Sequence, residues 1–422
     1  LLLIASALLF SCKKKDTDTP VIIINSPYEN QSFTVFDSIS VSAIITDNLQ
    51  ITSIDMVLTD ENFVPVLKTY SYYPNKSYFE LRTSYILDDI NLPSGNYYLL
   101  IKASDGNNSK NRYVKLLINE TPKRLKYIAV ITKSGSTINI SKVDSAFNIS
   151  TLKTVTSDYC GSAVNSRYQQ LYLAGSIIND IKVYSLPDMQ IKWAVQSMPD
   201  PPTPYFENIY LDNNNLFVSF RQNKFNVYNQ DGSSISSTVL NNGMVISQFM
   251  QSQSYLVTEQ YQIPLGVRKI SIYYPLSYSL FQELNIDFEV VDFFTKNNDN
   301  IYITANKNGQ GILKIYNIPT NGLWQPLNIP AGKIYSSCQI NNNDLLISKT
   351  NEILLYQYSN TNLVTFRSGI NGYKIKKEEL SNTIFACDDK NIYIFTYPNG
   401  GLVNTININD SILDFHFVYN KE

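Results

Sequence analysis

One histidine stands among 422 residues. A lone imidazole, His416, removes most metal centres and most schemes that need a histidine base. Charge is also scarce: Asp, Glu, Lys and Arg make up 17% of the chain and the formal net charge is −2. Nothing in that balance marks nucleic acid as a partner. The four cysteines, Cys12, Cys160, Cys338 and Cys387, are too few and too scattered for a disulfide framework. Cys338 and Cys387 fall in neighbouring repeats and could meet; buried free thiols are the simpler expectation. No long stretch has helical period. Aromatic residues are plentiful, with 31 Tyr and 20 Phe, and the hydrophobic fraction is 44%. That bias favours sheet, and the length allows two or three domains.

The first residues, Leu1 to Phe10, form an apolar run too short to cross a bilayer as a helix. They read as the apolar part of a signal peptide. The run ends at Leu9-Phe10-Ser11-Cys12 and gives way to Lys13-Lys14-Lys15-Asp16-Thr17-Asp18. A small residue before a Cys, then an abrupt polar tract, resembles the lipobox of bacterial lipoproteins. The resemblance implies that residues 1–11 are removed and that Cys12 carries the lipid. It implies a membrane partner held through Cys12, with residues 12–20 as a solvated tether. The expected location is the bacterial cell envelope, at the outer membrane.

Residues 21–121 alternate with period two. Ile39, Val41, Ala43 and Ile45 share one face, and Ser38, Ser40 and Ser42 share the other. Tyr97, Leu99, Ile101 and Ala103 repeat the pattern. About seven such runs separated by turn residues suit an immunoglobulin-like sandwich. Ser94-Gly95-Asn96-Tyr97-Tyr98-Leu99-Leu100-Ile101-Lys102-Ala103-Ser104-Asp105 resembles the late strands of bacterial Ig-like modules. The resemblance implies a spacer. Asp47 and Asp105 close strands and are read as turn residues rather than calcium ligands. The best boundary is Glu120-Thr121-Pro122-Lys123-Arg124.

From residue 125 to 420 one phrase recurs: Ile138–Ile140–Ser141, Ile181-Lys-Val183-Tyr184, Phe225-Asn-Val227-Tyr228, Ile270-Ser-Ile272-Tyr273, Leu313-Lys-Ile315-Tyr316, Ile353-Leu-Leu355-Tyr356 and Ile392-Tyr-Ile394-Phe395. An all-strand repeat of about 40–45 residues predicts a β-propeller. Second strands are expected near Tyr127, Leu171, Leu216, Tyr255, Ile301, Leu345 and Thr383, which makes seven blades. The first repeat starts at its second strand, and a surplus strand, Ile412–Tyr419, ends the chain. Together they predict a ring closed by the C-terminal strand. The fold class expected is therefore all-β: an Ig-like sandwich followed by a seven-bladed propeller. The repeats resemble WD40-like, YVTN-like or quinoprotein-like propellers as a broad class, which implies a fold and no particular chemistry. Asn-rich clusters at 212–215, 297–300 and 341–344 lack the Gly and distal Glu of a calcium loop and are read as turns. No metal and no cofactor is expected.

Two candidate sites follow. Three longer loops should cluster on one face: Met198-Pro199-Asp200-Pro201-Pro202-Thr203-Pro204 with Tyr205 and Phe206, Glu259 to Gly266, and Asn306 to Gly311. Pro201, Pro202, Pro204, Tyr205, Phe206, Tyr261, Ile263 and Asn308 are the candidate ligand-binding residues, since stiff aromatic loops suit a protein or a glycan. The bland alternative is loop-length drift with the aromatics packed down. The second candidate is the channel mouth: Asp158, Glu207, Asp292, Lys374, Asp414 and His416, with Lys376. A carboxylate pair about 5–9 Å apart would suit general acid/base work on a glycan. Polar inner strands are ordinary in propellers, however, and His416 reads as a structural histidine. No Ser-His-Asp arrangement is forced, and no catalytic residue is named. The expected function is a non-catalytic, membrane-anchored binder of a protein or polysaccharide. The alternatives are a glycan hydrolase or lyase and a structural subunit of an envelope assembly.

Overall fold

The computed structural model describes residues 17–177, 180–198, 204–241, 243–252 and 254–422. Cys12, Pro201 and Pro202 lie outside them. Among the described residues there are strands and no helix. The chain divides into two compact units, one ending at Pro122 and the other running Lys123–Glu422.

The smaller unit has a three-stranded and a five-stranded sheet. Strand Ser38–Ile51 pairs antiparallel with Val21–Ser26 and Lys76–Ile86. Strand Gly95–Ser104 sits between Ser53–Thr59 and Ser109–Asn119 in the second sheet. The period-two pattern explains the burial. Ile39, Val41, Ala43 and Ile45 meet Tyr97, Leu99, Ile101 and Ala103 in one core. Asp47 Oδ1 accepts from the Leu49 and Gln50 amides at 2.9 and 3.0 Å, and Asp105 Oδ1 accepts from Asn107 and Asn108 at 2.5 and 2.6 Å. Both carboxylates serve as turn acceptors.

The larger unit is seven four-stranded sheets, each with the make-up of a propeller blade. Six are contiguous in sequence. Their first strands are Gly161–Asn165, Phe206–Asp212, Met244–Gln251, Glu289–Thr295, Ile334–Gln339 and Lys374–Glu378. We number these sheets two to seven. Sheet one takes Leu125–Ser134, Thr137–Val143 and Ile149–Thr156 from the start of the unit, and Ser411–Tyr419 from its end pairs beside Leu125–Ser134. The recurrent phrase lies on the third strand of every sheet. Its terminal aromatic is buried wherever it occurs, as at Tyr184, Tyr316, Tyr356 and Phe395.

Seven apolar clusters lie between consecutive sheets, and one of them joins sheet seven to sheet one through Phe385, Ile392, Ile128 and Phe415. Each buried Leu, Ile or Phe there contributes about 1.5–3 kcal/mol. The Asn clusters are turns: Asn213 and Asn214 have positive φ of 44° and 67°, and Asn297 and Asn341 accept backbone amides two and three residues on. Cys160, Cys338 and Cys387 are free thiols.

Candidate functional site

Five of the seven first strands of the larger unit carry a register shift against the second strand. One residue is extra at Glu207, Ser247, Val291, Tyr335 and Leu413. A bulge re-aims the side chain beside it. The residues just after these bulges are Asn208, Gln248, Asp292, Ser336 and Asp414. All five line one cavity of about 420 Å³, joined by Ser162 of sheet two and Lys374 of sheet seven. Every sheet of the unit thus contributes a polar side chain to a shared central cavity. Gly161 also lines it, and a Cβ there would lie 2.8 Å from Ile209 Cγ1, so the close approach of those two strands requires glycine.

The charges in and beneath the cavity are partly spent on one another. Lys376 Nζ lies 2.7 Å from Asp414 Oδ1 and donates to the Phe415 carbonyl at 2.6 Å. It also lies 3.3 Å from His416 Nδ1. An ammonium only donates, so Nδ1 accepts and the imidazole proton sits on Nε2. Nε2 in turn is 2.7 Å from Ser162 Oγ, which is 2.9 Å from the Tyr159 hydroxyl. Burial, then Lys376, pushes His416 down to about 3, so the ring is neutral near neutral pH. Burial works against Asp414 ionisation, but Lys376, His416 and Lys374 outweigh it and hold its carboxyl well below the usual range. His416 is therefore a weak base with both nitrogens engaged.

Asp292 differs. Burial raises its carboxyl to about 6, against the lowering effect of Ser337, Lys374 and Lys376. The Ser337 amide and hydroxyl both donate to Oδ2, each at 2.7 Å. Thr304 Oγ1 lies 2.6 Å from the same hydroxyl and completes a small cross-sheet network.

The remaining expected residues fall elsewhere. Asp158 lies in the connection from sheet one to sheet two, where Oδ2 accepts from the Ile177 amide at 2.5 Å. Glu207 sits on the bulge of sheet three. It takes Arg221 Nε at 2.6 Å and the Tyr261 hydroxyl at 2.7 Å. Burial, then the Glu207 carboxylate, pushes the Tyr261 phenol up. Neither Asp158 nor Glu207 lines the central cavity. Tyr205 and Phe206 were expected to be presented to a ligand. Instead they are 8% and 0% exposed, packed on Phe220 between sheets two and three. Apolar burial outweighed presentation there: Phe206 is core, and Tyr205 is packed against it while keeping one edge on a neighbouring groove.

Pro204, Tyr205 and Ile263 line a groove of about 410 Å³ with Arg221, Gln222, Asn223 and Gly243. A larger groove of about 660 Å³ lies across the next pair of sheets, lined by Gly266–Arg268, Asn285–Glu289, Asn306–Gly309 and Lys333. Asn308 belongs to this second groove. Its segment is a two-residue hairpin turn and not a long loop: Asn308 and Gly309 have φ of 51° and 75° between strands Asn300–Lys307 and Gln310–Asn317. Glu289, Asn306 and Lys333 line both this groove and the central cavity, so the two adjoin. Below the groove, the fully buried Glu259 holds Arg268 Nη1 at 2.7 Å and accepts from the Val290 amide at 3.0 Å.

Sequence reasoning missed Ser162, Asn208, Gln248, Glu289, Lys333, Tyr335 and Ser336. For Asn208, Gln248, Tyr335 and Ser336 the signal is a broken alternation on the first strands, visible only once the pairing partner is known; Ser162, Glu289 and Lys333 carry no such signal. Among the described residues no group of three or more His, Cys, Asp or Glu is placed to hold a metal ion.

No family model matches the chain, and no curated protein matches it. Among solved structures, it is similar to a chain of a mitotic checkpoint complex (14% identity, 61% of this chain and 80% of that one, TM-score 0.49). It is also similar to the computationally designed Ika8 protein (10%, 68% and 89%, TM-score 0.46) and to a chain of a nidogen/laminin complex (8%, 71% and 100%, TM-score 0.45).

Proposed function

We propose that this protein is a lipid-anchored component of a bacterial envelope. Its larger unit, a seven-bladed propeller closed by Ser411–Tyr419, binds a protein or polysaccharide. Cys12 would carry the anchor, and the smaller unit, an Ig-like sandwich, would serve as a spacer. One observation carries the binding reading: the groove of about 660 Å³ adjoins the central cavity and shares Glu289, Asn306 and Lys333 with it. A concave surface of mixed polar and apolar character, rimmed by a tight hairpin, loses little entropy when a partner docks. The Lys376–Asp414–His416 cluster, with its hydrogen bonds already made, favours a binder over a catalyst.

The hydrolase or lyase reading retains one supporting feature. Asp292 sits near 6 while Asp414 is held well below the usual range, and acid/base pairs in enzymes are tuned apart in this way. The test is capture of partners from envelope membranes with the purified chain, with a glycan array alongside. Lys307→Ala combined with Asn308→Gly, both on the exposed rim of the groove, should weaken capture at least tenfold and leave the melting temperature within a few degrees. Undiminished capture by that variant would discard the groove. Turnover of a captured glycan, abolished by Asp292→Asn, would replace the binder with the enzyme.

A further inference from the structure

Each of sheets two to seven closes its third strand on an aromatic residue opposite an aliphatic one of the second strand. The pairs are Tyr184 with Leu171, Tyr228 with Leu216, Tyr273 with Leu256, Tyr316 with Ile301, Tyr356 with Leu345 and Phe395 with Ile384. All six rings are buried, each in the seam with the preceding sheet. The bulges locate the matching position in sheet one. Asp292 pairs with Thr304, three residues after Ile301, and Asp414 pairs with Ile131, three residues after Ile128. Ile128 stands opposite Val143. Six seams therefore receive a ring at this position, and the seam between sheets seven and one receives only an isopropyl group.

A pocket of about 310 Å³ lies at that seam, lined by Val143 with Tyr127, Ile128, Phe147, Phe385 and Ile394. Phe385 leaves the space open, because its ring turns to meet Phe417 edge-on at 5.0 Å. The charged and hydroxyl groups in the lining have partners of their own. Asp144 accepts from the Ala146 and Asn148 amides, both at 2.9 Å, and Lys126 donates to Gln169 at 3.0 Å. The Ser381 hydroxyl donates to Glu378 and lies 2.7 Å from that of Thr383. Such a lining asks for neither charge nor hydrogen bonds, and it offers water few partners. None of these residues lines the central cavity or the two grooves, so the pocket is independent of the binding face proposed above.

We propose that this pocket binds one small neutral aromatic molecule, a benzenoid ring with a short substituent, where the other six seams hold a Tyr or Phe ring. Its volume stands at the lower end of small-molecule sites, enough for one ring and little more. The rings of Tyr127, Phe147 and Phe385 favour an aromatic over an aliphatic occupant, since edge-on pairs attract beyond the area they bury. Phe147 and Val403, 41% and 56% exposed, mark the way in. A ring carried on a polypeptide would bring backbone polar groups to a rim whose own are already engaged, so a free molecule suits the site better.

Ligand-observed NMR and thermal melts on the full chain test it with three probes: toluene, methylcyclohexane and N-acetylphenylalanine amide. Toluene should bind and raise the melting temperature, and methylcyclohexane should bind about threefold more weakly or worse. Val143→Phe supplies the missing ring from within; it should abolish toluene binding and by itself raise the melting temperature. Val143→Leu, a milder filling, should weaken toluene binding, and Val143→Ala, which enlarges the pocket, should preserve it. These two variants carry the test should the larger side chain prevent folding. Toluene that fails to bind both the native chain and Val143→Ala would overturn the proposal. So would toluene binding that none of the three substitutions changes, since the ring would then sit elsewhere. Equal affinity for methylcyclohexane would remove the aromatic preference and overturn it as well. N-acetylphenylalanine amide binding more tightly than toluene would give the pocket to the side chain of a protein partner and overturn the assignment to a free molecule.

Discussion

Asp414 and Phe415 are consecutive residues with opposite fates. Phe415 is fully buried in the seam between sheets seven and one, its ring 6.4 Å from Phe385 and 5.9 Å from Phe417. Asp414 lines the central cavity and pairs with Lys376. The seams are apolar and the cavity is polar, yet both are built on the same strands. The difference teaches that the larger unit separates its tasks by side-chain direction. One set of positions supplies stability through area removed from water. The other set is polar and faces the cavity, where its charges and hydrogen-bonding groups partly offset one another.

The largest effect should come from removing the strand that serves both regions. A chain ending at Asp410 leaves Leu125–Ser134 without its partner and exposes the seam against sheet seven. It should lose the cooperative urea transition of the larger unit. A shortened chain that unfolds cooperatively at the original midpoint would show that the seam does not need Ser411–Tyr419. Next is Phe415→Ala, which should cost about 3–5 kcal/mol in urea unfolding as a large-to-small change in a packed seam. A loss under about 1 kcal/mol would erase the contrast with cavity positions, where no packed apolar side chain is removed.

The smallest effect has the opposite sign. Burial raises Asp292 to about 6 from an ordinary 3.8. The folded chain holds this proton more tightly than the unfolded chain does. Its contribution is therefore fully present below 3.8 and is lost as pH rises through about 6. Above that window the ionised carboxylate is a liability. Asp292→Asn keeps an acceptor for Ser337 and removes the charge. It should stabilise the chain by about 1–2 kcal/mol at pH 8, with the gain fading in acid. Asp414 runs the other way: its depressed carboxyl contributes stability at neutral pH that is lost as the medium is acidified. Thermal melts of both chains across pH 4 to 8 check the sign. A gain that grows in acid would place the raised carboxyl elsewhere.

Much of the fold was legible. The Ile-Lys-Val-Tyr type of phrase located seven third strands because a half-buried strand needs alternation and a closing aromatic packs at its end. Second strands begin at Leu125, Gln170, Asn215, Leu256, Asn300, Asp344 and Thr383, each within two residues of the position expected from the repeat. The site was legible only in part. Asp292, Lys374 and Asp414 were expected in the channel and do line the cavity. Glu207 was expected beside them, but it is the extra residue of its bulge and its carboxylate pairs with Arg221. Tyr205 and Phe206 read as an exposed aromatic pair because a proline-rich stretch precedes them. Their burial depends on Phe220, which meets them across a strand pair.

By itself the sequence determined strand periodicity, repeat number and the chemistry available on each first strand, because these depend on residues a few positions apart. Tertiary structure alone decided which of those side chains share a cavity. Asp414 finds Lys376 from another sheet, His416 finds Ser162 across 254 residues, and five bulges turn Asn208, Gln248, Asp292, Ser336 and Asp414 toward the same cavity. A bulge exists only relative to the strand it pairs with, so no local pattern announces it.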